Sequence, residues 1–220
     1  MPRSSPRQPR RLRRLALLAS LLSIAFAPQL SADPVPLRDA DRTRLARYHD
    51  ALGQALEQAY ARGAAEDLAA LSDALRGRPQ PPQISDPSGD WQCRTLKIGG
   101  MLPLVVYGWF DCRLSLLDAS GGINGGPVWK LEKLTGSQRS RGVIESDGDQ
   151  LIYRGAAYVA GRTPPEYDAF PERIDPEDAG SLAPDVGVLQ QVSDTHMRLM
   201  LPLPFVESVF NLLEFRRRGD

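Results

Sequence analysis

Two cysteines and two histidines are all this 220-residue chain offers for soft-metal or thiol chemistry. Cys93 and Cys112 stand 19 residues apart, each in the same small phrase. Trp91-Gln92-Cys93-Arg94 is answered by Phe110-Asp111-Cys112-Arg113: aromatic, polar, Cys, Arg. A closed zinc site needs four nitrogen or sulfur ligands. Here it would need both histidines, but His49 falls in a helical pattern and His196 beside a turn. Neither Cys-x-x-Cys nor His-Glu-x-x-His spacing occurs. Catalytic redox cysteines sit close together at a helix start, and these do not. The reading that remains is a disulfide, Cys93–Cys112, made in an oxidising compartment.

Other chemistries find little support. No Gly-x-Ser-x-Gly elbow is present, and a Ser–His–Asp site would have to use His49 or His196. The acids of Glu166-Tyr167-Asp168 and Asp175-Pro176-Glu177-Asp178 lack the spacing of a calcium loop and read as solvated loop charges. Leu134-Thr135-Gly136-Ser137-Gln138-Arg139 reads as a strand end and turn; the Lys and following helix of a phosphate loop are missing. No catalytic residue, cofactor or metal ligand is assigned, and a non-enzymatic protein is expected.

Residues 1–32 form a secretory leader. Arg3, Arg7, Arg10, Arg11, Arg13 and Arg14 precede the apolar run LALLASLLSIAFA, and Leu30-Ser31-Ala32 supplies a cleavage site. The apolar run is too short for a membrane span, so no stable membrane anchor is expected after cleavage. Without the leader, 21 basic and 27 acidic residues remain, a formal net charge of −6. An acidic surface with no basic stripe argues against nucleic acid and against anionic lipid. Arg outnumbers Lys 24 to 3, which reads as genome composition. A periplasmic or secreted bacterial protein is expected.

The mature chain divides by hydrophobic period. Over 33–76 the period is helical. In 39–62, Leu45, Tyr48, Leu52, Leu56 and Ala59 make one stripe, with Asp39 or Asp41 as N-cap and Gly63 as a left-handed C′ residue. Leu68, Leu71 and Leu75 make a second, shorter stripe. The pair predicts a helical hairpin that must pack on another element. Residues 77–90 hold four prolines and two glycines and form a boundary. From 91 to 220 the period is two. Strands are predicted at 90–98, 104–116 and 128–137, in hairpins over 139–159 and 186–202, and at 208–216. Asp147-Gly148 suits a type I′ turn, setting Ile144 opposite Leu151 and Gly142 opposite Tyr153. The acidic segment 161–185, with five prolines, is a long loop.

About eight short antiparallel strands close best as a barrel, so the fold class is α+β: a helical hairpin followed by an eight-stranded antiparallel barrel. If 90–98 and 104–116 pair with Cys93 opposite Cys112, Arg94 faces Asp111 in a cross-strand ion pair and Gln92 faces Arg113. Gly89-Asp90-Trp91 on the first strand and Arg216 to Arg218 after the last resemble calycin barrels, where such a Trp meets an Arg at the barrel's end.

The phrases CRTLKIG, KLTGSQR-x-x-G, GVLQQV and MRLMLPLP-x-x-ESVFNLLEF, with the aromatic-x-Cys-Arg phrase, resemble an exported proteobacterial family catalogued as domain of unknown function 4893. The resemblance carries no activity. It marks Cys93, Arg94, Cys112, Arg113, Gly136, Ser137, Gln138, Arg139, Glu207 and Ser208 as family-pattern residues. The candidate binding residues are Trp91, Arg94, Arg113, Ser137, Gln138, Arg139, Glu207 and Ser208. The expected function is binding of a small apolar ligand or an envelope protein. The alternatives are inhibition of an exported protease and an enzyme of unknown class.

Overall fold

The computed structural model describes Met1, residues 36–80 and residues 86–217. The leader at 1–32 lies outside the described residues apart from Met1, as do residues 81–85 of the boundary segment and Arg218.

The strands are β1 (Gly89–Ile98), β2 (Leu104–Val106), β3 (Phe110–Asp118), β4 (Val128–Lys133), β5 (Gln138–Asp147), β6 (Gln150–Val159), β7 (Leu182–Ser193), β8 (His196–Pro202) and β9 (Phe210–Arg216). All pairings are antiparallel, in the order β2-β1-β3-β4-β5-β6-β7-β8-β9. β1 also pairs with β9 along Gln92–Ile98. Eight strands therefore close into a barrel, and β2 adds a short ladder to β1 beyond β3. Before the barrel come α1 (Asp39–Ala46), α2 (Tyr48–Arg62) and α3 (Ala65–Leu75). The α+β architecture read from the sequence is the architecture observed.

Period-two alternation assigns the faces. Inward from β1 point Trp91 and Cys93, which join Cys112, Leu114, Trp129, Leu131, Ile144, Tyr153, Met197, Leu199 and Phe215 in one buried apolar cluster. Outward from β1 point Leu96 and Ile98, which join Met200, Phe210 and Leu212 beneath Ala51, Ala55, Ala59 and Leu71 of the helices. The barrel thus has one core inside and a second between its outer wall and the helices. The centre of the α2 stripe is alanine, with Leu52 and Leu56 only partly buried. Small side chains permit close approach: a Cβ on Gly99 would lie 3.2 Å from the Ala55 Cα.

The Cys93–Cys112 disulfide forms, but not between directly opposed residues. The register places Trp91 opposite Cys112 and Cys93 opposite Phe110, two residues from the predicted pairing. An even slip preserves the faces, so the sulfurs still meet inside, with Cα atoms 5.9 Å apart. The expected Arg94–Asp111 pair is replaced: Arg94 pairs with Glu214 at 2.6 Å and Arg113 with Asp90 at 2.6 Å, while Asp111 sits opposite Gln92. The 139–159 hairpin slips likewise. Its turn is Gly148-Asp149, so Ile144 faces Tyr153 and Gly142 faces Gly155. A residue opposite either glycine would collide with the neighbouring backbone or with the Tyr153 ring, whose edge lies 2.6 Å from a Cβ on Gly142.

Three further expectations change. The predicted strand 104–116 breaks at residues 107–109. Leu104 and Val106 face the helices, whereas Phe110 and Cys112 face the barrel interior. The helix predicted over 39–62 is two helices that part at Arg47. Neither aspartate caps it. Arg38 holds the N-cap position without a side-chain bond, and Gly63 is extended rather than left-handed. Asp41 is buried instead, accepting from Arg38 Nη1, Arg44 Nη1 and the Tyr167 hydroxyl. That network fixes α1 to the long loop between β6 and β7. The loop ends at β7, which starts at Leu182, and carries a short helix, α4 (Pro176–Ala179).

At the end of the barrel where β1 begins, the Arg217 guanidinium lies 4.1 Å from the Trp91 ring centroid and the Trp91 indole donates to the Pro87 carbonyl at 2.9 Å. This is the Trp–Arg contact that the calycin resemblance implies. A loop of about 20 residues closed by a disulfide stabilises by about 3 kcal/mol. The double variant Cys93→Ala/Cys112→Ala is therefore expected to melt ~6–12 °C below the parent in a calorimetric scan. An unchanged Tm would show that the bridge adds nothing to the β1–β3 ladder.

Candidate functional site

The inner face is not uniform along the barrel axis. Near the start of β1 it is filled by the apolar cluster. Toward the other end the alternation of β1 continues past Trp91 and Cys93 to Thr95 and Lys97. The alternation of β4 likewise runs Trp129, Leu131, Lys133. Both lysines are buried, at 7% and 5% exposure. They line a cavity of about 90 Å³ with Gln138, Arg139 and Ser140 of β5, Asp185 of β7 and Asn211 of β9. Residues of the 203–209 segment, Pro204, Phe205 and Val206, form one wall. The chain has only three lysines, and two of them line this mouth.

The two amines are held differently. Lys97 forms an ion pair with Glu207 and lies 5.6 Å from the Tyr107 ring centroid. Glu207 is in the left-handed region, at φ 72°, which a non-glycine residue adopts at a cost of about 1–2 kcal/mol. The Met101 amide donates to its carbonyl at 3.0 Å. The strained backbone thus aims a carboxylate at Lys97. Lys133 has no carboxylate within salt-bridge range among the described residues. Its Nζ donates to the Gln138 carbonyl at 2.6 Å and lies 4.0 Å from the Phe110 ring centroid. Burial first, then the charges of Arg139 and Lys97, push its pKa down to about 8.

Asp185 is the one acid on the cavity wall among the described residues, and α1 neutralises it. Arg44 Nη2 donates to Asp185 Oδ1 at 2.7 Å, and the same oxygen accepts from the Val186 amide at 3.1 Å. Its pKa is raised by burial and lowered in part by Arg44. Below the cavity, the Tyr153 ring lies across Gly155, where a Cβ would stand 2.5 Å from the Tyr153 hydroxyl. β6 runs from Tyr153 through Gly155 to Ala157 of the cavity wall, so the hydroxyl points toward the mouth. It is fully buried with no hydrogen-bond partner among the described residues, and burial raises its pKa well above the ordinary phenol value.

The predicted candidates divide into three groups. Gln138 and Arg139 line the cavity. Glu207 reaches it through Lys97, and Ser208 through a 2.7 Å bond from its hydroxyl to Asn211 Oδ1. Ser137 is exposed on the adjoining turn. Trp91 is at the opposite end of the barrel. Arg113 is exposed against Asp90. Arg94 is on the outer wall, 4.6 Å from the Trp109 ring centroid, with Glu214. Glu214 is fully buried and also pairs with Arg216, which reaches Asp73 of α3. Arg94, which also donates to the Ala70 carbonyl at 3.5 Å, and Arg216 thereby attach α3 to the barrel. Thr95, Lys97, Lys133, Asp185 and Asn211 were not among the predicted residues.

The family described as Domain of unknown function (DUF4893) matches residues 35–215. The chain therefore belongs to that family. No curated protein and no solved structure matches it. The phrases on which the sequence resemblance rests supply Thr95, Lys97, Lys133, Gln138, Arg139, Leu201, Pro204 and Asn211 of the cavity wall.

A lysine buried without a carboxylate costs stability in its charged form, and pH reads that cost. Below about 8 both folded and unfolded chains hold the proton, and burial of the ammonium is at full cost. Between about 8 and the ordinary 10.5, only the unfolded chain holds it, so stability rises with pH. Lys133→Met lacks this titration. The Tm of Lys133→Met minus that of the parent is expected to fall steadily as the pH is raised from 7 toward 10. A difference independent of pH would show that Lys133 keeps an ordinary pKa.

Proposed function

We propose that this member of the DUF4893 family is a periplasmic binding module that holds a small carboxylate-bearing ligand at the barrel mouth. The observation that carries the reading is the pair of inward lysines on one cavity, with Lys133 unanswered by any acid of the described residues. A buried cation without a counter-charge is costly, and a ligand carboxylate relieves that cost. Arg139 adds a second donor of fixed charge, and Ser140 and Asn211 add neutral hydrogen-bonding groups.

The ligand's body is apolar. Met101, Leu102, Tyr107, Leu134, Val159 and Phe205 are large hydrophobic residues exposed at the same end of the barrel. The apolar interior itself is packed with side chains, so the reading places an acidic group inside and the apolar part along the rim. Export rests on the leader and on the disulfide. No helix among the described residues is long and apolar enough to cross a membrane.

A thermal-shift screen of small mono- and dicarboxylates with alkyl or aryl tails tests the proposal. At a concentration 100 times its Kd, a true ligand stabilises by about 2.7 kcal/mol, which moves the Tm of a domain this size by roughly 5–10 °C. The matching alcohols are expected to give no shift, and Lys133→Met is expected to lose the response. Equal shifts from acids and alcohols, or from parent and variant, would refute the site.

A further inference from the structure

We propose that Lys133 captures its ligand covalently: its amine condenses reversibly with an aldehyde carried by the small carboxylate held at the mouth. This deepens the reading above and rests on it.

The geometry singles out one amine of three. Lys97 is engaged by Glu207, and Lys130 pairs with Glu132 at 2.7 Å on the barrel's outer side. Lys133 ends on a cavity, with one hydrogen bond to a main-chain carbonyl and an aromatic ring against it. Its neighbours Lys97 and Arg139 are positive, so a ligand carboxylate drawn to them brings an adjacent carbonyl to the Lys133 amine. Desolvation and a nearby cation are the conditions that make a lysine nucleophilic near neutral pH. With its pKa at about 8, about one-tenth of the amine is neutral at pH 7.

The chemistry balances without an oxidant or reductant. The Nζ lone pair adds to the carbonyl carbon, forming a C–N bond and a carbinolamine. The carbon–oxygen bond then breaks, and the oxygen leaves as water with two of the protons first carried by the ammonium. Ammonium and aldehyde thus become protonated imine and water, and hydrolysis reverses the step. The result is capture and release rather than turnover.

Glyoxylate, an aldehyde joined directly to a carboxylate, is the probe. The purified protein is incubated with it and cyanoborohydride, which delivers hydride to the imine carbon and fixes a carboxymethyl group on nitrogen. Peptide mapping then locates the group, and calorimetry measures binding of glycolate, the same acid with an alcohol in place of the aldehyde. The expected result is labelling of Lys133 at least tenfold above Lys97 and Lys130, rising between pH 7 and 9. Lys133→Arg is expected to lose it, and Lys97→Met to slow it. If Lys133→Arg fails to fold, the map of the parent protein decides by itself. Glycolate binding without preferential labelling of Lys133 overturns covalent capture and leaves the anion site standing. Absence of both overturns the two readings together.

Discussion

The structure depends on β1 being paired along both edges. β9 covers one edge from Gln92 to Ile98; β3 and then β2 cover the other. This closes the barrel and removes the exposed edge that an open sheet of this size would carry. It also commits every residue of β1 to one of two environments. Trp91, Cys93, Thr95 and Lys97 are enclosed by the barrel; Arg94, Leu96 and Ile98 are committed to the helices. The disulfide ties β1 to β3 on the inner side, and Glu214 of β9 ties Arg94 to the wall on the outer side.

Closure turns a local choice of residue into a property of the whole interior. An eight-stranded barrel holds side chains, or side chains and one small ligand. Leucines, aromatics and sulfurs fill one half here. At the other half, lysines stand where the same alternation could have placed leucine. Replacing Lys133 by an apolar residue would cost nothing in strand geometry and would remove a desolvated charge. Groups held against their stability interest are candidates for function on a physical rationale, and the strained φ of Glu207 beside Lys97 belongs to the same pattern.

Much of this was legible in the sequence. Alternation gave the strands and, apart from Leu104 and Val106, their faces, which survived because both hairpin registers slipped by an even number. The disulfide followed from compartment and composition. The registers themselves were not legible. Gly142 faces Gly155, where a Cβ on either would meet the partner strand's backbone and the Tyr153 side chain, a crowding that exists only once the strands are paired. The break at Tyr107-Gly108-Trp109 was hidden because the apolar period continues through it while the chain changes face. The α2 stripe was read on Tyr48, Leu52, Leu56 and Ala59, whereas the buried alanines are Ala51, Ala55 and Ala59, and the small size of Ala55 matters only once the β1–β2 loop is against it. Lys97 and Lys133 could have been found. Each sits on the inward parity of its own strand, in Trp91-Gln92-Cys93-Arg94-Thr95-Leu96-Lys97 and in Trp129-Lys130-Leu131-Glu132-Lys133. Their rarity was read as genome composition, which hid their position.

The helices complete the site from outside it. Asp185, the acid on the cavity wall, would offset the lysines if left to itself. Arg44 of α1 reaches over the rim, donates to Asp185 at 2.7 Å and to the carbonyls of Pro184 and Pro202, and so answers that charge from behind the wall. Arg44 is oriented by Asp41, which also holds Arg38 and Tyr167 and thereby the loop from β6 to β7. At the same mouth, Gln58 of α2 accepts from the Gly100 amide at 2.8 Å. Gly100 in turn leaves room for the Glu207–Ser208 backbone, which a Cβ would meet at 2.6 Å. The helical segment therefore supplies the cation that occupies the cavity's acid and braces the loop that positions Glu207. The positive balance of the mouth belongs to the barrel and helices together and would not be expected of the barrel strands alone.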